Sequence, residues 1–180
     1  MNTTAQNQLP KFEQIDAAGL KAIAEKGKDS DNIVGTVKCR TIAEGRRFRH
    51  LNYMRKFDAY VIDEPPGALG DDTAPNPVEV VLAALGSCLA VGIQANAVAR
   101  GWTVQAIEID LEGDIITSGV WGTGNLSPKP LGLHAIRVQT HVEIEGASEA
   151  EIDEMINHAV NWSPVVNTIR NPVPIDTTRV

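Results

Sequence analysis

The chain of 180 residues is long enough to bury a sizeable core, and its 43% hydrophobic and 22% charged residues are typical of a soluble globular protein. The net charge of -7 argues against nucleic acid as a partner, because binding to a phosphate backbone requires clustered lysine and arginine. The two cysteines argue against a disulfide framework, and no basic start followed by an apolar run marks the N-terminus, so we expect a cytoplasmic protein. The four histidines show no ligand spacing with each other or with the cysteines, so no metal site and no cofactor are predicted.

The first third of the chain predicts a short helix followed by a meander of three strands. Apolar residues recur at near-helical spacing within residues 13–28. Stretches typical of strands follow at 35–42, 48–54 and 59–62, and the sequence AEGR after the first of them is typical of a turn. Residues 63–77 are rich in proline, glycine and aspartate and predict a loop.

A long helix is predicted to follow this loop. Asn76 is a preferred N-cap residue, Pro77 fits the first helical position, and Glu79 completes a capping box. Gly101 is well placed to end the helix, because glycine adopts the left-handed conformation of a C-cap at little cost.

This helix is long and apolar enough to span a bilayer, since no charged residue lies between Glu79 and Arg100. However, it contains two glycines, Ser87, Gln94 and Asn96, and alanines supply much of its apolar character. No second span follows, and no aromatic anchors flank its start. We therefore predict a helix that is buried on most sides in a large core, and no membrane partner.

The second half of the chain predicts two strands that each have one wet face. Residues 107–112 alternate strictly between apolar and acidic side chains, and residues 136–145 keep nearly the same alternation. The segment between them, 113–132, is rich in glycine and proline and long for a plain connection. It is therefore either a functional lid or an extended hairpin.

The C-terminal part predicts a helix, a short helical turn and a final strand. Ser148 and Glu151 form a capping box, and Ser163 with the proline after it restarts a helical turn. The sequence NPVPI at 171–175 is interpreted as an edge strand, where proline is tolerated.

This order of elements is an α+β pattern. A single meander of three strands cannot cover so apolar a helix on nearly every side. The pattern therefore favours an obligate homodimer in which helices pack between sheets.

Three segments carry a family resemblance. The stretch DEPPGALGDDTAPNPVEVVLAALGSC, which ends at Cys88, is followed by RGWTVQAIEIDLEGD and by SEAEIDEMINHAVNWSPVVNTIRNPVPI. Together they resemble the OsmC/Ohr family of osmotically inducible protein C-like and organic hydroperoxide resistance proteins. The similarity implies an OsmC-like domain at 32–180, preceded by an N-terminal extension at 1–31 that holds the short helix. It also implies an intertwined homodimer with antiparallel sheets around long central apolar helices and two active sites at the subunit interface.

The resemblance implies that Cys88 attacks an organic hydroperoxide and becomes a sulfenic acid. The family's resolving cysteine lies in a Cys-Pro step that corresponds here to Ser163-Pro164, so this chain lacks it. The family arginine follows the first strand in a GR turn, which makes Arg46 the candidate and Arg47 a substitute. The family glutamate directly follows the helix-opening proline, whereas Glu79 lies one position later.

The residues themselves leave the role of several positions open. A cysteine in an apolar helix is commonly a small packed hydrophobe, and reactivity requires a cation from elsewhere in the fold. Glu79 lies about half a turn around the same helix from Cys88, so it cannot face the thiol there. It either caps the helix or has a catalytic role that does not depend on facing Cys88 along this helix. Leu85 and Leu89 would give an apolar niche for an alkyl chain. Trp121 lines the substrate entrance, packs locally or packs at a dimer contact.

Three functions are compatible with the sequence. The first is a thiol peroxidase that uses Cys88 alone, with an external thiol or dithiol as the resolving reductant. The second is a non-enzymatic dimeric binder of a small hydrophobic molecule on the same fold. In the third, Cys88 senses or carries sulfur or an oxidation state without turnover.

Overall fold

The computed structural model describes residues 12–28, 34–117, 119–123 and 131–180. They divide into two compact units: one holds the described residues within 1–29 and 84–180, and the other those within 30–83. The elements in chain order are α1 (Ala17–Lys28), β1 (Arg40–Ala43), β2 (His50–Tyr53), β3 (Tyr60–Ile62), α2 (Pro77–Ala99), β4 (Thr103–Ile116), β5 (Gly132–Glu145), α3 (Glu149–Trp162) and α4 (Pro164–Arg170). The predicted mixed helix-and-sheet fold with antiparallel sheets and a long apolar helix is confirmed.

The unit formed by residues 30–83 contains the predicted meander. Strands β1, β2 and β3 form an antiparallel sheet in that order, with Ile42 opposite Leu51 and Leu51 opposite Val61. The first strand begins at Arg40, later than the predicted residue 35. A tight turn closed by the bond from the Arg49 amide to the Arg46 carbonyl joins β1 to β2.

The predicted loop after β3 is present and is organised by Asp63, whose side chain is fully buried. Its carboxylate accepts hydrogen bonds from the Thr73 hydroxyl at 2.7 Å, the Thr73 amide at 3.0 Å and the Glu64 amide at 2.8 Å. These donors, the Thr73 hydroxyl first, lower the pKa of Asp63 from 3.8 to about 2. The carboxylate therefore closes the loop in its charged form.

Both predicted ends of α2 are confirmed. The Asn76 side chain accepts from the Val78 and Glu79 amides at 2.9 Å, and the Glu79 carboxylate accepts from the Asn76 amide at 2.7 Å. At the other end Gly101 has φ +76°. Its amide and that of Trp102 bond back to carbonyls of the last helical turn, at 3.0 and 2.9 Å.

In the described part of the chain, only one face of α2 is buried. Leu85, Leu89, Ile93 and Ala97, each four residues apart, form the buried stripe. Val91, on another face, is 65% exposed. By length and composition, the helix could cross a membrane. Of the 18-residue apolar stretch that meets this criterion, 17% is buried within the chain. Within one chain the helix is therefore not buried on most sides, in contrast to the prediction.

Strands β4 and β5 form a long antiparallel hairpin, with Ile107 opposite Val142 and Ile116 opposite Gly132. The hairpin belongs to the unit that also holds α2 from residue 84 onward. Both strands are longer than predicted. Of the two interpretations of residues 113–132, the extended hairpin is therefore correct where the structure describes them. Residues 118 and 124–130 of that segment lie outside the described part.

Helix α3 packs against α2 and the hairpin in the main core. Its capping box is confirmed, since the Ser148 amide and hydroxyl both donate to the Glu151 carboxylate, at 2.8 and 2.7 Å. Met155 is fully buried among residues of α2, β4 and α3. Gly92 allows the two helices to approach closely, because a Cβ placed on it would lie 3.1 Å from the Ala159 Cβ.

The predicted helical restart at Ser163 is α4, a helix of 7 residues. The edge strand predicted at 171–175 is wrong, because these residues pair with no strand in the described part of the chain. Two of the five positions, Pro172 and Pro174, supply no amide hydrogen for a ladder.

The predicted N-terminal helix is present as α1, which buries no residue. Just before it, the Gln14 side chain donates to the Val104 carbonyl at 2.9 Å and accepts from the Val104 amide at 3.2 Å. The domain boundary at residue 31 stays a prediction.

Candidate functional site

The centre of the candidate site is the thiol of Cys88, which is half-buried in α2. The Ser163 hydroxyl donates a hydrogen bond to the Cys88 sulfur, with 3.1 Å between Oγ and Sγ. The structure therefore brings together the two residues that the family resemblance relates to a peroxidatic and a resolving cysteine. They are 75 positions apart in the chain.

Ser163 is held in place by its role at the start of α4. Its hydroxyl oxygen accepts from the Val166 amide at 3.1 Å, which is the standard N-cap bond. The residue after it is proline, whose fixed backbone angle suits the first helical position. Ser163 is only 3% exposed, so the side chain that faces the sulfur is both buried and anchored.

An apolar core cluster lies on α2, which carries Cys88, and on α4, which begins after Ser163. Leu85 and Leu89, one turn of α2 apart, are 4% and 2% exposed and form a core cluster with Val166 of α4. Residues of β4, β5 and α3 pack against this cluster. Leu85 and Leu89, which were predicted to form an apolar niche beside Cys88, are therefore buried core residues, and their role toward a substrate stays a prediction.

A cavity of about 320 Å³ opens beside the cluster, between α2, β5, α3 and α4. Leu85 and Leu89 line it, whereas Cys88 is not part of its wall. Its polar side chains are His134 of β5 and Arg170 of α4, which the sequence interpretation missed. Arg170 follows Ser163 by seven positions, two helical turns, so this spacing alone places it on the same face of α4.

The two candidate arginines belong to the unit formed by residues 30–83. There Arg46 Nε and Arg47 Nη1 bind the two carboxylate oxygens of Asp71, at 2.8 and 3.0 Å. Arg47 also donates to the Gly70 carbonyl at 3.3 Å. Both guanidiniums therefore have a role in fixing the loop after β3, and their role toward Cys88 stays a prediction.

Glu79 acts as the capping residue of α2, as one of its two interpretations predicted. Nearby in the same unit, the pKa of Glu64 is raised, first by burial and then by the charges of Asp63 and Glu79. Sequence patterns gave no signal for Glu64, because its burial depends on how the loop folds.

The remaining predicted residues lie in different settings. Trp121 lies in the turn region of the β4–β5 hairpin and is 64% exposed, and it does not line the cavity beside Leu85 and Leu89. Its role at a substrate entrance stays a prediction. Cys39, which precedes β1, is a free and exposed thiol.

Comparison with known proteins establishes the family. The family model described as OsmC-like protein matches residues 70–178, more than half of the chain. The chain belongs to the OsmC-like protein family. The matched region contains Cys88, Ser163 and Glu79, whereas Arg46 and Arg47 lie outside it.

Solved structures of this family share the fold. The OsmC-like protein of Mycoplasma pneumoniae matches with a TM-score of 0.63 and 18% identity, over 77% of this chain and 89% of that one. An organic hydroperoxide resistance protein OsmC of Legionella pneumophila, also described as a predicted redox protein, matches with a TM-score of 0.55 and 18% identity, over 77% and 92%. No curated protein matches the sequence. At these identities the structural likeness establishes the OsmC fold alone.

Proposed function

We propose that this OsmC-like protein is a stress-response enzyme that reduces organic hydroperoxides through Cys88. The observation that carries the proposal is the hydrogen bond of 3.1 Å from the Ser163 hydroxyl to the Cys88 sulfur. A thiol that only fills core space does not need a buried polar partner, whereas a reacting sulfur gains from a donor that stabilises its anion. The solved structure named as an organic hydroperoxide resistance protein supports the same chemistry on this fold.

The proposed reaction begins with the thiolate of Cys88. The sulfur attacks the terminal oxygen of the hydroperoxide ROOH, an S–O bond forms, and the O–O bond breaks. Sulfur loses two electrons and becomes the sulfenic acid S–OH, while the leaving alkoxide takes a proton and departs as the alcohol ROH.

Recycling needs a thiol from outside this site, because Ser163 has no sulfur with which to form a disulfide. An external thiol condenses with the sulfenic acid, which releases water and leaves a mixed disulfide on Cys88. A second thiol, or the other arm of a dithiol, then attacks this disulfide and frees the reduced cysteine. Cys39 is the remaining thiol of the chain, and the one-cysteine scheme assigns it no role.

The apolar surroundings favour organic hydroperoxides over hydrogen peroxide as substrates. Leu85, Leu89 and Val166 belong to the helices on which Cys88 and Ser163 lie, and the cavity that they line has room for an alkyl or aryl group. Burial of that group contributes roughly 25 cal/mol per Å² of apolar surface, which hydrogen peroxide cannot gain.

We also propose that Arg46 or Arg47 supplies the cation that the thiolate requires, as the family resemblance implies. An arginine suits this role because it stays charged in an apolar site. Replacement of each by methionine in turn should slow the reaction of Cys88 with hydroperoxide. If neither variant is slower than the parent, the thiolate does not depend on them.

The test of the proposed function is turnover in a Cys39→Ser protein, which isolates Cys88. With dithiothreitol as reductant, the protein should consume cumene hydroperoxide many times over and hydrogen peroxide more slowly. Cys88→Ser should abolish turnover, and Ser87→Ala, a change at the neighbouring exposed residue, should not alter it. Equal consumption by the Cys88→Ser protein contradicts the proposal.

One observation favours a second candidate function, a non-enzymatic binder of a small hydrophobic molecule. The cavity beside Leu85 and Leu89 does not include Cys88 in its wall, so a ligand there need not meet the thiol. Under this alternative, an apolar fluorescent probe binds equally to the parent and to Cys88→Ser. Cys88 also stays reduced in the presence of hydroperoxide.

We further propose that the protein acts as a cytoplasmic homodimer without membrane or nucleic-acid partners. The exposed apolar face of α2, which includes Val91 at 65% exposure, is the surface that a second copy would cover. A partner there also explains why a helix so long and apolar is left exposed in one chain. The negative net charge opposes binding to nucleic acid. Analytical ultracentrifugation in detergent-free buffer should give twice the chain mass at low micromolar concentration. A stable folded monomer contradicts this assembly.

A further inference from the structure

The direction of the hydrogen bonds at Ser163 follows from their chemistry once Cys88 is ionised. The backbone amide of Val166 can only donate, so the Ser163 oxygen must accept there. A serine hydroxyl has one hydrogen, which remains for another partner. The Cys88 sulfur is the acceptor within reach in the described part of the chain, and at 3% exposure the hydroxyl has little access to water. A thiolate sulfur has no hydrogen of its own, so in the bond to ionised Cys88 the Ser163 hydroxyl is the donor.

We propose that Ser163, at the place of the family's resolving cysteine, is a hydrogen-bond donor that stabilises the Cys88 thiolate. This inference rests on the proposed function for its biological meaning, although the thiolate itself can be measured without any hydroperoxide. Ser163 thus replaces internal disulfide formation with activation of the single thiol.

Two features strengthen this donor. The Val166 amide donates into the Ser163 oxygen and polarises its O–H group, as in other chains of hydrogen bonds. Ser163 is 3% exposed, so its hydroxyl lies in a lower dielectric than at the surface, where a bond to a charged acceptor is weaker. A hydrogen bond to an ionised group is worth more than one between neutral partners.

Two titratable or charged side chains of the described residues lie at the adjacent cavity, one on β5 and one at the end of α4. His134 of β5 and Arg170 of α4 line the adjacent cavity, and neither forms a hydrogen bond with the Cys88 sulfur. They remain unchanged in the variants below, so their contribution is the same in each protein.

The experiment measures the rate of alkylation of Cys88 by iodoacetamide between about pH 5 and pH 10 in the Cys39→Ser protein. Loss of the hydrogen bond in Ser163→Ala should move the midpoint of the rate-versus-pH curve upward by about one pH unit or more. The freed thiolate is also a better nucleophile, so the plateau at high pH should rise about threefold when the midpoint rises by one pH unit. Well below the midpoint the variant should react about threefold more slowly. The two curves should therefore cross.

Two further variants separate this effect from the structural role of Ser163 as an N-cap. Ser163→Gly removes the hydroxyl but costs the helix much less stability than alanine does, so it remains testable if Ser163→Ala does not fold. Ser148→Ala removes the matched cap of α3, where the hydroxyl bonds Glu151 rather than a thiol. Ser163→Gly should reproduce the crossing curves, and Ser148→Ala should leave the parent curve unchanged.

The inference is overturned if Ser163→Ala and Ser163→Gly keep the parent midpoint or lower it, since the serine then does not favour the thiolate. A uniform change of rate at all pH values also overturns it, because that indicates altered access. The proposed function fails on a different result. In that case the Cys39→Ser protein does not react with cumene hydroperoxide, whichever alkylation curve it gives. The two outcomes are therefore distinguishable.

Discussion

Replacement of Ser163 by cysteine should restore an internal disulfide with Cys88. The two side-chain atoms now lie 3.1 Å apart, so the sulfurs must approach by about 1 Å to reach the length of a disulfide bond. Closing a loop of about 75 residues removes about 4.5 kcal/mol of unfolded-chain entropy in the loop-closure treatment. Loss of the serine cap at α4 costs about 1 kcal/mol. Because engineered disulfides commonly give less than the entropy limit, we expect the oxidised variant to be about 2–3 kcal/mol more stable than the parent.

The assay for this variant uses the Cys39→Ser background and one equivalent of cumene hydroperoxide. Peptide mass spectrometry should show a disulfide between positions 88 and 163, and urea unfolding at matched protein concentration should show the stability gain only without reductant. Ser148→Cys is the matched control, because Ser148 caps α3 and bonds Glu151 instead of Cys88. Accumulation of Cys88 sulfenic acid without a disulfide would refute the proximity of the two side chains.

Three further changes test the fold around the site by urea unfolding. Gly70→Ala places a Cβ 1.7 Å from the Glu64 carbonyl oxygen, so it should destabilise the protein by about 2 kcal/mol or more, and a parent-like midpoint contradicts that contact. Asp63→Asn should be less stable than the parent at pH 7. Because the folded-state pKa of Asp63 is lowered to about 2, this difference should shrink as the pH falls from about 5 to 2, and a constant difference contradicts the charged loop closure. Asn76→Ala should cost about 1 kcal/mol through the lost cap of α2 while Cys88 alkylates normally, and an unchanged stability argues against the cap.

Local signals predicted the helices well. The capping boxes at Asn76 and Ser148 and the glycine after α2 involve residues within one or two turns, so the sequence pattern contains the whole interaction. Strand lengths were harder to predict, because they depend on a partner. The strands β4 and β5 support each other through 14 residues each, which extends both beyond their alternating stretches. The segment after α4 has strand-like composition but finds no partner in the described chain.

In the candidate site, too, local features could be predicted from the sequence and contacts between distant residues could not. Cys88 and the two leucines beside it follow from helical spacing within α2. The contact of Cys88 with Ser163 spans 75 positions, so only the family resemblance could indicate it before the structure. His134 and Arg170 were missed because the packing of β5 and α4 beside α2 brings them to the cavity. The salt bridges of Arg46 and Arg47 with Asp71 likewise depend on how the loop after β3 folds.

The most direct test of the central claim is the oxidation state of Cys88 after a single equivalent of hydroperoxide. The Cys39→Ser protein is mixed with cumene hydroperoxide and dimedone, and the intact protein and its peptides are weighed by mass spectrometry. We predict one dimedone adduct on Cys88 in nearly stoichiometric yield, with the matching amount of alcohol formed, and no adduct in Cys88→Ser. Recovery of Cys88 as an unmodified thiol beside unconsumed hydroperoxide would contradict the account.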